Sequence, residues 1–303
     1  MLNSTLLSTP VRALVTDDPA EILQFAINSY QRGPVALATL VEIRGGAARA
    51  LGSCVAVASD GHFCGYVSGG CVEAAVAHEA LQAIDEGSDR MVKFGDGSPF
   101  FDIVLPCGGG ITVAIHVLRE VEVLEHIIGQ LGKRKPASIR YWPARQLVEV
   151  VEPMAKAHWI DGQFSTVYHP PTGVLISGQG VEAERLEQLA RAADFAVVRL
   201  GVGESCERLI DPFTAVVMLH HDLEAEHTMI DEALHSRAFY IGALGSIRTH
   251  RKRVEGLRAR GWNKEDIGRI KAPIGLFGPT RDSTSLALSV LSDIAASRLV
   301  AFG

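Results

Sequence analysis

Short apolar segments alternate with amphipathic segments along the second half of the chain, and this alternation restricts the fold more than any other feature. The apolar segments have the length of buried strands and lie at residues 174–177, 195–200, 214–219 and 239–244. The amphipathic segments have helical spacing and lie at residues 181–192, 224–235, 247–260 and 283–298. Strands that alternate with helices of this length predict a parallel sheet covered on both faces. Residues 172–303 are therefore expected to form a Rossmann-like domain.

The first half of the sequence predicts a mixed α/β domain instead. Asp18-Pro19 marks the start of a helix, because proline is tolerated in the first helical turn. A second helix is expected at residues 73–85. Strands are expected at residues 35–43, 54–58, 63–67, 102–105 and 111–118. We expect this domain to span residues 1–125, and we interpret residues 126–171 as a connector to the second domain.

Composition excludes several classes of protein. The 303-residue chain has 29 basic and 35 acidic side chains, and the resulting net charge of −6 argues against nonspecific binding of nucleic acid. No run of roughly 18 apolar residues is present, so no membrane span is expected. The N-terminus lacks a basic region followed by an apolar core, so no signal peptide is expected. Five cysteines, an odd number, fit a cytoplasmic protein with one or two functional thiols better than a disulfide framework.

One thiol follows two glycines at the start of a predicted helix, in the sequence Ser68-Gly69-Gly70-Cys71. Unpaired backbone N–H groups at a helix N-terminus bind anions and activate nearby thiols. A glycine pair also costs stability unless something requires access to the backbone. We therefore interpret Gly69, Gly70 and Cys71 as a functional loop. The alternative is a small buried cysteine in a tight turn.

A second thiol lies beside three glycines at residues 106–110, where Cys107 precedes Gly108 and Gly109. Such a loop can form a nest of N–H groups for an anion, and a flexible hairpin loop explains the same residues equally well. Two cysteines in glycine-rich loops of one domain favour a soft ligand, a metal or sulfur chemistry over acid–base chemistry. The remaining cysteines are expected to pack in the core, and they are Cys54, Cys64 and Cys206.

The pattern GxGxxA begins at Gly178 and Gly180, between a predicted strand and a predicted helix. These glycines permit a tight turn and the close approach of a pyrophosphate to the helix N-terminus. A nicotinamide site also needs an acidic residue at the end of the next strand, where the sequence instead contains Arg199. Arg199 could favour a 2′-phosphate, or it could be an ordinary surface residue at a strand end. Glu182, in the first helical turn, would compete with a bound phosphate. A dinucleotide site and a Rossmann-like fold without one both remain open at this point.

Polar residues follow two further predicted strands. His221 and Asp222 could supply an acid–base or ligand pair at the carboxyl edge of the sheet, or one of them could only cap the next helix. Ser246 opens a helix with several basic residues that could hold a phosphate. Lys252 and Arg253 of that helix are expected on a solvated face.

Several motifs, in their order and spacing, resemble the XdhC/CoxI accessory proteins of molybdenum hydroxylases. The resemblance covers most of the chain and includes both thiol loops. The matching segments are residues 68–73, 105–109, 221–222, 240–246, 272–276 and 287–290. The family usually has a Ser-Pro-Arg type segment where this chain reads Gly-Gly-Ala-Ala-Arg, so Arg49 is the anion contact expected to remain there.

The resemblance implies a chaperone without turnover of its own. It implies binding of molybdenum cofactor (molybdopterin), protection of the cofactor during sulfuration, and delivery to a molybdenum hydroxylase apoenzyme such as xanthine dehydrogenase. It further implies a sulfur donor such as a cysteine desulfurase, and a symmetric homodimer is the simplest assembly. The residues expected to bind the cofactor are Arg49, Gly69, Gly70, Cys71, Cys107, Gly108, Gly109, Gly178, Gly180, His221 and Ser246.

Two other functions remain as alternatives. The first is an NAD(P)-dependent oxidoreductase that would use Gly178 and Gly180. The second is a metal site formed by Cys71, Cys107 and His221, which would require the two domains to face each other.

Overall fold

A computed structural model describes residues 8–98 and 108–302. The chain divides into two compact units, Met1–His169 and Pro170–Gly303. The strand expected at residues 102–105 lies outside the described residues.

The first unit is built on a six-stranded mixed sheet with the order β1-β4-β3-β2-β6-β5. Strands β1 and β4 are parallel, and every other neighbouring pair is antiparallel. The strands are β1 (Val11–Leu14), β2 (Val35–Arg44), β3 (Cys54–Ala58), β4 (His62–Gly65), β5 (Arg90–Gly95) and β6 (Gly110–Val117). This arrangement is the mixed α/β fold that the sequence predicted for the first half.

Three helices cover the two faces of this sheet, and they are α1 (Pro19–Tyr30), α2 (Glu73–Glu86) and α3 (Glu122–Gly132). Helix α1 begins where the sequence predicted, because the Asp18 side chain accepts a hydrogen bond from the N–H of Ala20 at 2.8 Å. Helix α2 ends at Gly87, which adopts the left-handed conformation of a C-terminal cap (φ 65°). Helix α2 packs on one face of the sheet, whereas α1 and α3 pack on the other.

The segment interpreted as a connector instead contains the end of α3 and a second antiparallel sheet, with the order β8-β7-β10-β9. Its strands are β7 (Ala137–Trp142), β8 (Leu147–Val151), β9 (His158–Ile160) and β10 (Gln163–Tyr168). This sheet contributes Tyr141 and Phe164 to a core cluster with Val41 and Ala114 of the six-stranded sheet. The connector interpretation is therefore wrong, because these strands bury apolar side chains within the first unit.

The second unit contains a five-stranded parallel sheet with the order β12-β11-β13-β14-β15. The strands are β11 (Gly173–Ser177), β12 (Ala196–Leu200), β13 (Thr214–Met218), β14 (Tyr240–Ala243) and β15 (Ile270–Lys271). The helices are α4 (Val181–Ala192), α5 (His227–His235), α6 (Ile247–Ala259), α7 (Lys264–Gly268) and α8 (Ser283–Phe302). Helices α4 and α8 cover one face, and α5, α6 and α7 cover the other, which confirms the predicted parallel α/β fold.

Within residues 8–98 and 108–302, one helix, α8, is long and apolar enough to cross a membrane by length and composition. Its side chains Ala287, Val290 and Ile294 are buried against the parallel sheet and α4. Helix α8 therefore contributes to the core of the second unit.

Candidate functional site

Three glycine-containing loops extend from one edge of the six-stranded sheet. Strand β2 ends at Arg44, which pairs with Gly110 at the start of β6. Strand β4 ends at Gly65, which pairs with Val55 near the start of β3. Because these strand ends lie at the same edge, residues 45–53, 66–72 and 108–109 leave the sheet there. The fold thus brings the predicted loop around Cys71 and the glycines after Cys107 to one edge. Cys107 itself lies outside the described residues.

Close backbone approaches connect these loops to one another. A Cβ atom added at Gly109 would lie 2.6 Å from the carbonyl oxygen of Arg44 and 2.7 Å from that of Gly46. A Cβ added at Gly69 would lie 3.6 Å from the Cβ of Ala48. The segment from Arg44 to Ala48 therefore lies against both glycine loops.

The thiol of Cys71 is exposed, and buried groups hold the loop beneath it. Glu73, the first residue of α2, is fully buried, and its carboxylate accepts hydrogen bonds from the N–H groups of Val67 (3.2 Å) and Ser68 (2.8 Å). The Ser68 hydroxyl donates to the same carboxylate at 2.8 Å and lies 3.4 Å from the Cys71 sulfur. Helix α2 has no side-chain N-cap hydrogen bond. The backbone N–H groups at the start of α2 therefore have no side-chain cap, and they begin two residues after the exposed thiol of Cys71.

Arg49 lies beside this loop. Its Nε donates to the carbonyl oxygen of Ser68 at 3.3 Å, and its Nη1 forms an ion pair with Asp17 at 2.6 Å. The guanidinium also lies over the Tyr66 ring, 5.1 Å from the ring centroid. The expected anion contact is therefore placed at the same edge as Cys71, with part of its charge balanced by Asp17.

Two glycines at this edge adopt backbone conformations that other residues rarely adopt. Gly70 has φ +108° and Gly108 has φ +67°, and no atom lies within 4 Å of a Cβ added at either position. Glycine is required there by the backbone angle, since the space for a side chain is open. The exposed backbone beside Cys71 is consistent with a cradle for a bound group.

A polar cluster around Arg44 supports the same edge, and sequence reasoning missed it. Arg44 donates to Glu42 (2.8 Å), to the Thr112 hydroxyl (2.8 Å) and to the carbonyl oxygen of Asp96 (3.1 Å). The hydrogen bond from Thr112 and the charge of Arg44 lower the pKa of Glu42, although its burial acts in the opposite direction. These residues are far apart in sequence, so no local signal identifies them. Glu73 lies within the recognised motif, but its burial could not be predicted.

The other described cysteines are core residues, as the sequence predicted. Cys54, Cys64 and Cys206 are buried. Burial raises the pKa of each of these thiols to about 12. Cys71 is the exposed thiol among the described residues.

A second group of predicted residues lies at the carboxyl edge of the parallel sheet. The strand order reverses between β11 and β13, and the loops after these two strands carry Gly178 and His221. Gly178 has φ +154°, and a Cβ there would lie 3.0 Å from the carbonyl oxygen of Leu219. Beneath this crevice Ser177 Oγ and His220 Nε2 are 2.6 Å apart. Ligands of open α/β sheets bind in such a crevice.

The remaining predicted residues at this edge have local structural roles. Gly180 is the N-cap residue of α4. Ser246 is the N-cap residue of α6, and its hydroxyl accepts from the N–H of Thr249 at 3.2 Å. Asp222 accepts from the N–H of Glu224 at 3.0 Å, so of the adjacent pair Asp222 is the residue that caps the following turn. His221 is exposed.

The groups around Gly180 do not favour a nicotinamide dinucleotide. A Cβ added at Gly180 would lie 2.7 Å from a carboxylate oxygen of Glu182, so this negative charge occupies the position near which a pyrophosphate would bind. Arg199, in β12, forms an ion pair with Glu187 at 3.2 Å. The arginine that could have selected a 2′-phosphate is thus already paired.

The burial of Arg253 differs from what the sequence predicts. It was expected on a solvated face of α6, but it is 4% exposed and forms an ion pair with Glu226, which is 1% exposed. Its Nη2 also donates to the carbonyl oxygen of Leu244 at 2.8 Å. The arginine is buried because its partners are buried, and the local sequence does not show them.

Comparisons with known proteins agree with the two-unit architecture. Residues 174–294 match the XdhC Rossmann domain, and residues 30–95 match the XdhC and CoxI family. The chain is 44% identical over 292 residues to the "Molybdenum cofactor insertion chaperone PaoD" of Escherichia coli (strain K12), covering 96% of this chain and 92% of that protein. It is 26% identical over 267 residues to the uncharacterized protein YqeB of the same organism, covering 87% of this chain and 43% of that protein.

A solved structure shows the same fold. It is described as a xanthine dehydrogenase from Bacillus halodurans, and it superposes with a TM-score of 0.71 at 19% identity, covering 93% of this chain and 96% of that chain. The family matches together span more than half of the chain, and the identity to the chaperone extends over nearly its full length. The chain belongs to the XdhC and CoxI family.

Proposed function

We propose that this protein binds molybdenum cofactor and delivers it to the apo form of a molybdenum hydroxylase. The observation that carries the proposal is the 44% identity, over 96% of this chain, to a molybdenum cofactor insertion chaperone. The comparisons support cofactor delivery rather than the oxidoreductase alternative. The cofactor is the cargo of the protein in this proposal and undergoes no turnover on it.

The proposed cargo site is the edge formed by the loops of the first unit. Its contacts are assigned to Arg49, Gly69, Gly70, Cys71, Cys107, Gly108 and Gly109. Thiolates are soft ligands and suit molybdenum or a sulfur atom bound to it. Backbone N–H groups of the glycines and the guanidinium of Arg49 suit the phosphate of the pterin. The exposed thiol of Cys71 and the open space beside Gly70 support this assignment.

A second set of contacts is assigned to Gly178, Gly180, His221 and Ser246. These residues share the carboxyl edge of the parallel sheet, where a phosphate or nucleotide portion of a ligand would be accommodated. The negative charge of Glu182 limits how much anionic charge this edge can accept.

The partners follow from the same proposal. A molybdenum hydroxylase apoenzyme receives the cofactor, and a cysteine desulfurase supplies the sulfur while the cofactor is bound. Both would act in the cytoplasm, with the chaperone as a homodimer. These assignments rest on the family resemblance.

The test is a binding measurement with purified molybdenum cofactor. Absorbance and native mass spectrometry would compare the wild type with Cys71→Ala and Cys107→Ala, and Cys206→Ala would serve as the control because that thiol is buried in the second unit. We expect one cofactor per chain in the wild type and in Cys206→Ala, with affinity at least tenfold weaker in Cys71→Ala. Wild-type affinity in both Cys71→Ala and Cys107→Ala would reject the site, and no binding by the wild type would reject the function.

A further inference from the structure

A cavity of about 130 Å³ lies in the first unit, away from the proposed cargo site. Its walls come from β2, the end of β6, α3 and the start of β8. His116, one of its lining residues, lies six residues along β6 from Gly110, and Gly110 lies at the edge that carries the thiol loops. At about 3.4 Å per residue this separation is roughly 20 Å. The cavity is therefore a separate feature of the same unit.

The lining of the cavity is mostly apolar. Leu37, Leu118 and Leu124 are buried, and half-buried groups such as Val123 and Leu147 form its outer part. An apolar cavity of roughly 150 Å³ is large enough to bind benzene. The volume here therefore suits one six-membered ring.

One polar atom distinguishes this cavity from a packing defect. The His116 side chain is 8% exposed, and its Nδ1 lies 2.7 Å from the buried carboxylate of Asp89. The same carboxylate accepts from the Tyr141 hydroxyl (3.0 Å), the N–H of Val117 (3.0 Å) and Arg119 (3.2 Å). Burial acts to raise the pKa of Asp89, but the hydrogen bonds from His116, Val117 and Tyr141 lower it below its usual value.

The contact with Asp89 determines which ring nitrogen of His116 acts as the donor. Because the Asp89 carboxylate can only accept, the Nδ1 atom carries the proton that lies between the two residues. In the tautomer with the proton on Nδ1, the Nε2 atom has a free lone pair. Among the described residues no hydrogen-bond partner of Nε2 is found, and the His116 ring lines the cavity.

The polar groups at the outer part of the cavity are either paired with one another or exposed to solvent. Arg119 donates to Asp89, to the carbonyl oxygen of Val117 and to the Gln146 side chain at 2.6 Å. The Gln146 amide in turn donates to Ser88 at 3.2 Å. Glu120, the other polar lining residue, is exposed to solvent. The hydrogen-bonding position offered to a ligand in the apolar part of the cavity is therefore the acceptor on His116.

We propose that this cavity is a second ligand site, which binds a single-ring aromatic molecule bearing one O–H or N–H donor directed at His116 Nε2. The apolar walls of the cavity contact the aromatic ring. The Asp89–His116 pair selects ligands that carry a hydrogen-bond donor. This site is independent of cofactor delivery and uses no residue of the cargo edge.

Phenol and toluene test the proposal, because they share a ring and differ in a hydroxyl versus a methyl group. Titration of the full-length protein by calorimetry and NMR should give a Kd for phenol of about 1 mM, with toluene about tenfold weaker because it cannot donate a hydrogen bond. Phenol should also shift the ¹⁵N resonance of His116 Nε2 more than that of Nδ1. No saturable phenol binding up to about 10 mM, or equal affinities for phenol and toluene, would overturn the proposal.

Two variants locate the site. His116→Asn keeps a donor to Asp89 and removes Nε2, so it should lose the preference for phenol over toluene, whereas His126→Asn on the exposed face of α3 should keep it. Val123→Phe fills the outer part of the cavity from a half-buried position and should weaken both ligands at least tenfold. Val15→Phe, at a residue that is 77% exposed, is its control. Wild-type phenol binding by folded Val123→Phe would place the ligand elsewhere.

Discussion

The Ser68 hydroxyl donates to the carboxylate of Glu73 at 2.8 Å, and both residues are buried. Cys71 lies between them in sequence, and its side chain is exposed. Because Glu73 is also the first residue of α2, one carboxylate fixes both ends of the thiol loop. The surface position of the thiol is thus determined by a polar contact in the core.

Glu73→Ala should destabilise the first unit by about 2–3 kcal/mol, because it leaves the N–H groups of Val67 and Ser68 buried without an acceptor. Urea unfolding followed by circular dichroism would measure the loss. Asp85→Ala changes an exposed carboxylate on the same helix and should alter stability by no more than about 0.5 kcal/mol. Equal stability of the two variants would show that the buried contacts of Glu73 contribute nothing net.

Adjacent glycines at the proposed cargo site should respond differently to alanine. Gly108→Ala adds a methyl group in open space and should cost about 1 kcal/mol for its positive φ. Gly109→Ala drives a Cβ against the carbonyl oxygens of Arg44 and Gly46, so we expect a loss of about 2–3 kcal/mol and weaker cofactor binding. Melting temperatures from thermal unfolding would show which of the two variants loses more stability. A larger loss for Gly108→Ala would contradict the close approach of the loops.

The second unit could be predicted well because buried parallel strands are continuous apolar runs. The segment expected at residues 174–177 is observed as Gly173–Ser177, and that at 214–219 as Thr214–Met218. The second sheet of the first unit was missed for the opposite reason. In β7 the buried Ile139 and Tyr141 alternate with Arg140, so the strand has no apolar run, and its partner strands identify it only once the chain is folded.

The sequence predicted the glycines and the thiol of the candidate site, but not the buried charged residues that hold its loops in place. Glycines leave a local pattern, because a backbone conformation such as the positive φ of Gly70 requires that residue at that position. A buried charged residue leaves no such local pattern in the sequence. Glu73 and Arg253 look like ordinary charged residues of solvated helices, and their burial depends on partners that the fold brings together.

Arg253→Ala should destabilise the second unit by about 3–5 kcal/mol, because it leaves the carboxylate of Glu226 buried without its partner. Urea unfolding gives the loss. Arg251→Ala removes an exposed arginine two residues away on the same helix and should change stability by no more than about 0.5 kcal/mol. Replacing the pair together, as Glu226→Leu with Arg253→Met, should recover most of the stability, since no charge is then left unpaired. Failure of the double variant to recover would mean that the pair is also needed for packing.

Stability of the second unit should fall as the pH drops from 7.5 to 5.5. Burial lowers the pKa of His220, and burial together with the charge of Arg253 lowers that of His250, so both rings stay neutral in the native state at pH values where the unfolded chain is protonated. The unfolded state then binds more protons, and stability is lost below the unfolded histidine pKa of about 6.5. His220→Gln keeps a hydrogen-bonding atom near Ser177, which lies 2.6 Å from His220 Nε2 in the wild type, and removes the titration. Unfolding free energies at the two pH values should therefore differ less in His220→Gln than in the wild type, and identical differences would show that His220 does not contribute to the pH dependence.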